Sequence, residues 1–161
     1  MYYNKAERAE NARENKMRLR EIRTSYHYIN VSATDKFLND PERVAKILSE
    51  IIPDSDVEYL VVFNLGIKMN IIGFHIASKG SSSQSVATAK DVFKTAILEG
   101  ANAVIIAHNH PSEILEPSLE DISVTKKLNS AAEIIGIDLL DHVIVNTRTG
   151  EYKSLKQEGL F

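Results

Sequence analysis

Two runs of apolar residues constrain the fold of this chain more than any other feature. Residues 57–65 and 103–107 carry apolar side chains on both of their alternating faces, as strands do when a sheet is covered on each side. Helical patterns lie before, between and after these two runs. The sequence therefore predicts an α/β or α+β domain in which a mostly central sheet is flanked by helices.

Three helices are predicted around these strands. Asp40 can cap the first one, Pro41 suits its first position and Pro53 ends it. Residues 88–99 and 118–135 each begin at a hydroxyl-bearing capping residue and stop before a glycine. The side chains expected to face inward are Ala89, Val92, Phe93, Ala96 and Ile97 in the second helix and Ile122, Thr125, Leu128, Ala132 and Ile135 in the third.

Further strands complete the predicted sheet. Residues 68–76 are expected to form the hairpin partner of residues 57–65, with the turn near Gly66 and a flexible loop over residues 79–83. The remaining segments predicted as strands are residues 25–31, 139–146 and 152–155, and they place Tyr26, His27, Tyr28 and His75 in strands.

Residues 1–24 are predicted to form a basic helical extension to a domain over residues 25–161. Residues 1–25 carry seven Lys and Arg against four Asp and Glu, a net charge of +3, whereas residues 26–161 carry a net charge of −6. Such a segment can contact nucleic acid or a partner chain, but a solvated helix is the more common outcome. The net charge of −3 gives the chain as a whole no nucleic-acid footprint.

The composition predicts a cytoplasmic protein. The absence of cysteine excludes disulfides, thiolate metal ligands and Cys nucleophiles, and it fits a reducing compartment. Residues 1–22 lack the apolar core of a secretory signal, and no apolar run approaches the roughly 20 residues that span a bilayer. We therefore expect a soluble intracellular protein without membrane contact.

His108 and His110 follow the second apolar run and predict a metal site. Residues two apart in extended backbone point the same way, so both imidazoles project from one side of the strand end before Pro111 turns the chain. Ser118 looks like a helix cap, which places Asp121 in the first helical turn, where its carboxylate can face the imidazoles. Two His and one carboxylate leave a position for water, the pattern of a catalytic rather than a structural zinc site.

Glu58 is the best candidate to accept the proton of that water. It lies near the start of its strand, on the same face as Leu60 and Val62, where a carboxylate is costly unless it is paired or functional. An apolar site could hold its pKa nearer neutrality, which suits a general base that later acts as an acid. Ser118 could donate a hydrogen bond to the developing oxyanion.

This set of residues resembles the JAMM metal-binding motif of the JAB/MPN metalloproteases. The flanking residues 104–112 and 136–145 are similar to the RadC branch of that family, and Asn109 between the histidines is also typical of it. The resemblance covers roughly residues 30–155. The members of the motif, with six residues between its last two parts, are Glu58, His108-x-His110-Pro111 and Ser118-x-x-Asp121.

The resemblance implies a deaminase-like three-layer fold with a central mixed sheet, and zinc held by His108, His110 and Asp121. It also implies Glu58 as general acid/base, Ser118 as oxyanion stabiliser, and hydrolysis of peptide or isopeptide bonds in a peptide or protein substrate. RadC proteins carry a helix-hairpin-helix-like region before this domain, where this chain has a short basic segment. We therefore expect no DNA-binding role to follow from the resemblance alone.

Three other functions compete with a metallopeptidase. A non-catalytic RadC-like domain could act as an adaptor in DNA repair or in a mobile element, although a decayed site usually loses a ligand. An HNH nuclease is excluded because its motif residues are spread over a ββα element and are not consecutive. A nucleobase deaminase requires Pro-Cys-x-x-Cys, and the chain has no cysteine.

Four residues near the motif have simpler interpretations. Ser118 and Asp121 also match a helix cap, as Thr88 and Asp91 do at the preceding helix, and a cap and a metal site can coexist. His142 is expected to be structural, with a hydrogen bond behind the ligands, and Asn109 to turn its amide into the loop backbone. Tyr2, Tyr3, Tyr26 and Tyr28 beside basic residues are expected to pack, or to lie in a strand core, rather than to stack on nucleic acid.

Overall fold

The computed structural model describes residues 19–32, 36–52, 56–80 and 87–161. The chain divides into two compact units, Met1–Asn30 and Val31–Phe161. Residues 19–31 contain neither helix nor strand, so the strand predicted over residues 25–31 is wrong, and Tyr26, His27 and Tyr28 are exposed. Alternation alone does not make a strand, because no segment of the described residues pairs with this one. Most of the predicted helical extension, residues 1–18, lies outside the described residues, and the prediction is wrong for residues 19–24, which contain no helix.

A five-stranded mixed sheet forms the centre of the second unit. Its strands, in chain order, are β1 (Glu58–Leu65), β2 (Ile71–Gly80), β3 (Ala103–Asn109), β4 (Asp138–Val145) and β5 (Tyr152–Ser154). Their order in the sheet is β2-β1-β3-β4-β5. Neighbours are antiparallel except for β3 and β4, which are parallel. The two runs predicted as central strands, β1 and β3, are adjacent in the middle of the sheet.

Three helices cover the sheet: α1 (Pro41–Ile51), α2 (Ala89–Glu99) and α3 (Leu119–Ile135). Each begins as predicted, since Asp40 accepts a hydrogen bond from the Arg43 N–H, and Thr88 and Ser118 form capping boxes. Helices α2 and α3 end at glycines in the left-handed conformation, which a residue with a side chain adopts only with strain. The predicted three-helix pattern is confirmed.

The sheet separates two apolar layers. On one face the side chains of Val61 and Phe63 pack with α1, and on the other Val62 and Ile106 pack with α2 and α3. These four side chains are fully buried, or nearly so, and burying each stabilises the fold by about 1.5–3 kcal/mol. The result is a three-layer α/β fold with a central mixed sheet flanked by helices, as expected.

Several predicted boundaries and orientations differ from the structure. Strand β2 begins at Ile71 rather than residue 68 and continues through Gly80, so Lys79 and Gly80 belong to the strand, while residues 81–83 lie outside the described residues. Ile97 is 58% exposed and Ile135 is 38% exposed, so the prediction that both face inward is wrong; each lies in the last turn of its helix. Strand β3 runs on to Asn109, which places His108 inside the sheet.

Within the described ranges, no helix combines the length and the apolarity that a bilayer crossing requires.

Candidate metal centre

Strand β3 brings the two histidines of the motif to one point. His108 is paired with Leu60 of β1 on one side and with Ile144 of β4 on the other, and it is 1% exposed. His110 follows the end of the strand and is half-buried. The two Nε2 atoms lie 2.8 Å apart, so both imidazoles project to the same side, as the spacing predicts.

The first turn of α3 supplies the third group. The Oδ1 atom of Asp121 lies 3.5 Å from His108 Nε2, and its Oδ2 atom lies 3.7 Å from His110 Nε2. Ser118 holds this carboxylate, since its backbone N–H and its hydroxyl both donate to Asp121 Oδ2 at 2.8 and 2.6 Å. In return the Asp121 N–H donates to the Ser118 hydroxyl oxygen at 3.0 Å. The cap therefore orients the carboxylate toward the imidazoles, and the two interpretations of these residues hold together.

Glu58 lies at the first position of β1 and lines the same cavity as the histidines. Asn109 holds the backbone on both sides of it: its Oδ1 accepts the Tyr59 N–H at 2.8 Å, and its Nδ2 donates to the Val57 carbonyl at 3.1 Å. The backbone pairing of β1 with β3 ends at Leu60 and His108, so the Asn109 amide extends the ladder past its last pair. Asn109 was expected to bond its own loop, and it bonds the neighbouring strand instead.

A buried hydrogen-bond chain lies behind His108. Its Nδ1 is 2.7 Å from Nε2 of His142, and His142 Nδ1 is 2.6 Å from the hydroxyl of Thr125 on α3. The Thr125 hydroxyl also donates to the Asp121 carbonyl at 2.6 Å. The prediction that His142 makes a hydrogen bond behind the ligands is confirmed. Thr125 was predicted only to face inward on its helix, although its spacing of four residues from Asp121 was a usable signal for a hydrogen bond to the Asp121 carbonyl.

The pKa values of Asp121, His110 and His108 depend on one another. Burial would raise the pKa of the Asp121 carboxyl, but hydrogen bonds from His110 and Ser118 and the nearby His108 lower it below its ordinary value. Burial would lower the pKa of His110, yet Asp121 and the Ile114 carbonyl outweigh burial and raise it. Full burial, together with the neighbouring His142, lowers the pKa of His108 well below its ordinary range.

Burial shifts the pKa values of Glu58 and His142 in opposite directions. Burial raises the pKa of the Glu58 carboxyl, although the nearby His110 opposes this. Burial lowers the pKa of His142 to about 4, so this ring is neutral near pH 7. A carboxyl whose protonated form is stabilised in a cleft is suited to exchange a proton with a substrate.

The donor set fits a divalent cation. His108, His110 and Asp121 each offer one ligand atom, and these atoms all lie within 4.8 Å of one another. The Nδ1 atom of His110 lies 2.5 Å from the Ile114 carbonyl, which can only accept a hydrogen bond, so the proton of a neutral His110 is on Nδ1. The bare Nε2 of His110 then faces His108 Nε2 and a carboxylate. Such a cluster of lone pairs needs a positive charge at its centre, either a proton or a metal ion.

The three groups open into a cavity of about 580 Å³. Asp121, Glu58 and Ser118 line it together with both histidines, so the structure brings every residue predicted for the site to a single cleft. Glu120 and Asp56 add further carboxylates at its rim. The volume is within the range of clefts that accept a small ligand or a short segment of chain.

The sequence pattern of the RadC-like JAB domain matches residues 38–160, which include this cavity. The chain belongs to the RadC-like JAB domain family. The similarity noted from the motif is therefore confirmed over the whole of the sheet, the three helices and the His-His-Asp cluster. The RadC-like JAB domain thus carries, in this chain, a group of side chains that could hold a metal ion.

Three curated relatives illustrate the match. The UPF0758 protein of Finegoldia magna is 46% identical over 116 residues, 71% of this chain and 52% of the relative. The UPF0758 protein of Desulfitobacterium hafniense is 38% identical over 123 residues, 76% of this chain and 53% of the relative. That of Methanococcoides burtonii is 38% identical over 130 residues, 76% of this chain and 56% of the relative. The chain thus spans about half the length of the curated relatives it matches.

His75 belongs to a separate polar cluster away from the metal centre. It lies in β2, as predicted, where its Nε2 is 2.9 Å from the Asp91 carbonyl and its Nδ1 is 2.7 Å from the Thr95 hydroxyl. Burial lowers its pKa despite the Asp91 carbonyl. His75 therefore joins β2 to α2 and is not a ligand of the candidate site.

Proposed function

We propose that this chain is a zinc-dependent hydrolase of peptide or isopeptide bonds. The observation that carries the proposal is the convergence of His108, His110 and Asp121 on one point inside a cleft that also contains a half-buried carboxyl, Glu58. Membership of the RadC-like JAB domain family supports the same chemistry. Zinc is the favoured metal because two imidazoles and one carboxylate suit it, whereas magnesium and calcium prefer oxygen ligands alone.

Bound zinc would supply a water of lowered pKa and a positive charge that polarises the scissile carbonyl. His108 and His110 would hold the metal through Nε2, since Nδ1 of each ring is engaged by His142 or by the Ile114 carbonyl. Asp121 would hold it through its carboxylate, which Ser118 orients. Three protein ligands leave a coordination position for water or substrate.

Glu58 would move the proton in this reaction. Its carboxylate takes one proton from the attacking water, whose oxygen bonds to the carbonyl carbon. It then delivers that proton to the nitrogen as the carbon–nitrogen bond breaks, which releases a carboxylic acid and an amine. The pKa of Glu58, which burial raises, suits both halves of this task, because it makes the carboxylate a stronger base and its protonated form easier to keep until the nitrogen leaves.

Ser118 would stabilise the oxyanion that forms on the carbonyl oxygen. Its hydroxyl donates to Asp121 Oδ2, and it lines the cavity. To reach the substrate, the Ser118 hydroxyl has to stop donating to the Asp121 carboxylate and donate to the developing oxyanion instead. This change of acceptor requires a rotation about one bond. A single donor of this kind contributes about 10²–10³ to the rate in acyl-transfer enzymes.

The substrate would be a peptide or protein, and the place of action the cytoplasm. Hydrolysis of such a bond needs an open cleft, and the observed cavity meets this condition. A nucleic-acid contact through the basic residues 1–24 stays a prediction, because residues 1–18 of that segment lie outside the described part of the chain. A basic segment of this kind is more often simply solvated.

The test combines zinc analysis with a cleavage screen of peptides and lysine-linked isopeptides. The parent is expected to hold one zinc per chain and to cleave at least one substrate, and Glu58→Gln is expected to keep the zinc and to lose about 10²-fold or more in rate. Glu133→Gln is the matched control, because it makes the same charge change at an exposed position of α3 outside the cavity. It should keep the parental rate.

Two results would contradict the proposal. One is a Glu58→Gln variant that cleaves as fast as the parent, and the other is cleavage that persists after the metal is removed by a chelator. Stoichiometric zinc without cleavage of any member of either substrate set would favour the non-catalytic adaptor instead.

A further inference from the structure

Thr125 controls the direction of a hydrogen-bond chain that ends at the candidate metal centre. Its side chain is fully buried and its hydroxyl has a single proton. That proton is donated to the Asp121 carbonyl, which cannot donate in return, at 2.6 Å. The same hydroxyl oxygen lies 2.6 Å from His142 Nδ1, and only a proton on that nitrogen can make this second contact a hydrogen bond.

The position of the proton on His142 then determines which ring nitrogen of His108 is protonated. No carboxylate contacts either ring nitrogen of His142 within the described residues, and the side chain is 2% exposed, so the ring carries only the one proton, on Nδ1. Its bare Nε2 is 2.7 Å from His108 Nδ1. This contact is a hydrogen bond only if His108 Nδ1 is the donor. His108 therefore keeps no proton on Nε2, the atom that faces His110 and Asp121.

We propose that His142 and Thr125 are positioning residues that fix His108 in the tautomer with its proton on Nδ1, so that its Nε2 lone pair is always directed at the cation. The proposal rests on the proposed metal site. The reverse tautomer would set two bare nitrogens 2.7 Å apart in a buried place and would present an N–H to the metal. Because the Thr125 hydroxyl also holds the Asp121 carbonyl, one side chain fixes two of the three ligands.

This arrangement differs from the partner usually found behind a metal-binding histidine. That partner is most often a carboxylate, a backbone carbonyl or water, each of which accepts the proton directly. Here the acceptor is a second imidazole, which can act in either direction and is made an acceptor only by Thr125. The whole orientation therefore depends on one fully buried hydroxyl group that does not itself line the cavity.

The test uses Thr125→Val, which removes the hydroxyl and keeps a β-branched side chain, and Thr125→Ser as the matched control that keeps the hydroxyl. Imidazole ¹⁵N spectra of the metal-free chain report which nitrogen of His108 is protonated, without any need for activity. We expect the proton on Nδ1 in the parent and in Thr125→Ser, and a mixture of tautomers in Thr125→Val. Zinc affinity is expected to fall about 10- to 100-fold in Thr125→Val and to change little in Thr125→Ser.

Three outcomes would overturn the inference. The first is a His108 of the parent that carries its proton on Nε2. The second is a folded Thr125→Val variant with the tautomer and zinc affinity of the parent. The third is an equal loss of zinc affinity in both variants, which would mean that packing rather than the hydroxyl matters. If the tautomers are as expected and zinc does not bind to the parent, the proposed function fails and the assignment of His142 and Thr125 stands.

Discussion

Replacing Asn109 with alanine is expected to lower the free energy of unfolding by about 3–5 kcal/mol. The side chain is 2% exposed and makes two hydrogen bonds, from the Tyr59 N–H and to the Val57 carbonyl. Each such bond contributes about 1 kcal/mol net, and leaving the buried Tyr59 N–H without this partner adds about 1–3 kcal/mol. Urea unfolding monitored by circular dichroism measures the sum.

The same change should loosen the start of β1 more than the rest of the sheet. Amide hydrogen exchange at Tyr59 is expected to accelerate by more than the average of the other core amides, since its N–H donates to the Asn109 side chain. Because Glu58 lies between the two clamped groups, the cleavage rate should fall further than the loss of folded protein explains. This last expectation depends on the proposed function.

Asn146→Ala is the matched control for this prediction. Asn146 is also buried, and its Oδ1 accepts from the Arg148 and Thr149 N–H groups in the turn after β4 rather than from the backbone of β1. Asn146→Ala should lower the free energy of unfolding without selectively accelerating amide hydrogen exchange at Tyr59. An Asn109→Ala variant that unfolds within about 0.5 kcal/mol of the parent, or whose Tyr59 amide exchanges no faster than in Asn146→Ala, would contradict this prediction.

Three further predictions concern stability. Burial raises the pKa of the Asp141 carboxyl above its ordinary 3.8, so its contribution to stability is complete below the unfolded-state pKa and is lost as pH rises through the folded-state pKa. Asp141→Asn should therefore gain stability relative to the parent between about pH 3 and 7 in thermal unfolding, and a constant difference over that range would contradict this. Ser118→Ala and Thr88→Ala each remove one capping box, and each should lower the free energy of unfolding of the metal-free protein by about 1 kcal/mol. Only Ser118→Ala should also weaken zinc binding in a titration, because the Ser118 hydroxyl holds the Asp121 carboxylate. Gly136→Ala should cost about 1 kcal/mol by urea unfolding because residue 136 has φ +76°, and an unchanged midpoint would show that the strain is absent.

The sequence was sufficient to predict the elements that carry strong local signals. The capping residues Thr88 and Ser118 and the closing glycines gave the limits of α2 and α3 to within a residue. The apolar runs predicted β1 and β3 as central strands, because a strand that is buried on both faces carries apolar side chains at almost every position. The convergence of His108, His110 and Asp121 followed from residue spacing and a helix cap.

What could not be predicted depends on contacts between distant segments. Residues 25–31 alternate like a strand, but pairing depends on a partner that the local pattern does not reveal. Asn109 bonds the backbone of β1, about fifty residues earlier in the chain, because β1 and β3 are neighbours in the sheet. The role of Thr125 likewise appears only when α3 and β4 are packed together, since its partner His142 is on the strand.

The proposed function requires one zinc ion to bind between His108 Nε2, His110 Nε2 and the Asp121 carboxylate. Anomalous diffraction measured on both sides of the zinc absorption edge, from crystals grown with one equivalent of zinc, tests it most directly. We predict a single strong peak within coordination distance of all three groups, about 2.0–2.2 Å from each ligand atom. A map without a peak at this position, or with the zinc held elsewhere while Asp121 turns away from the imidazoles, would contradict the claim.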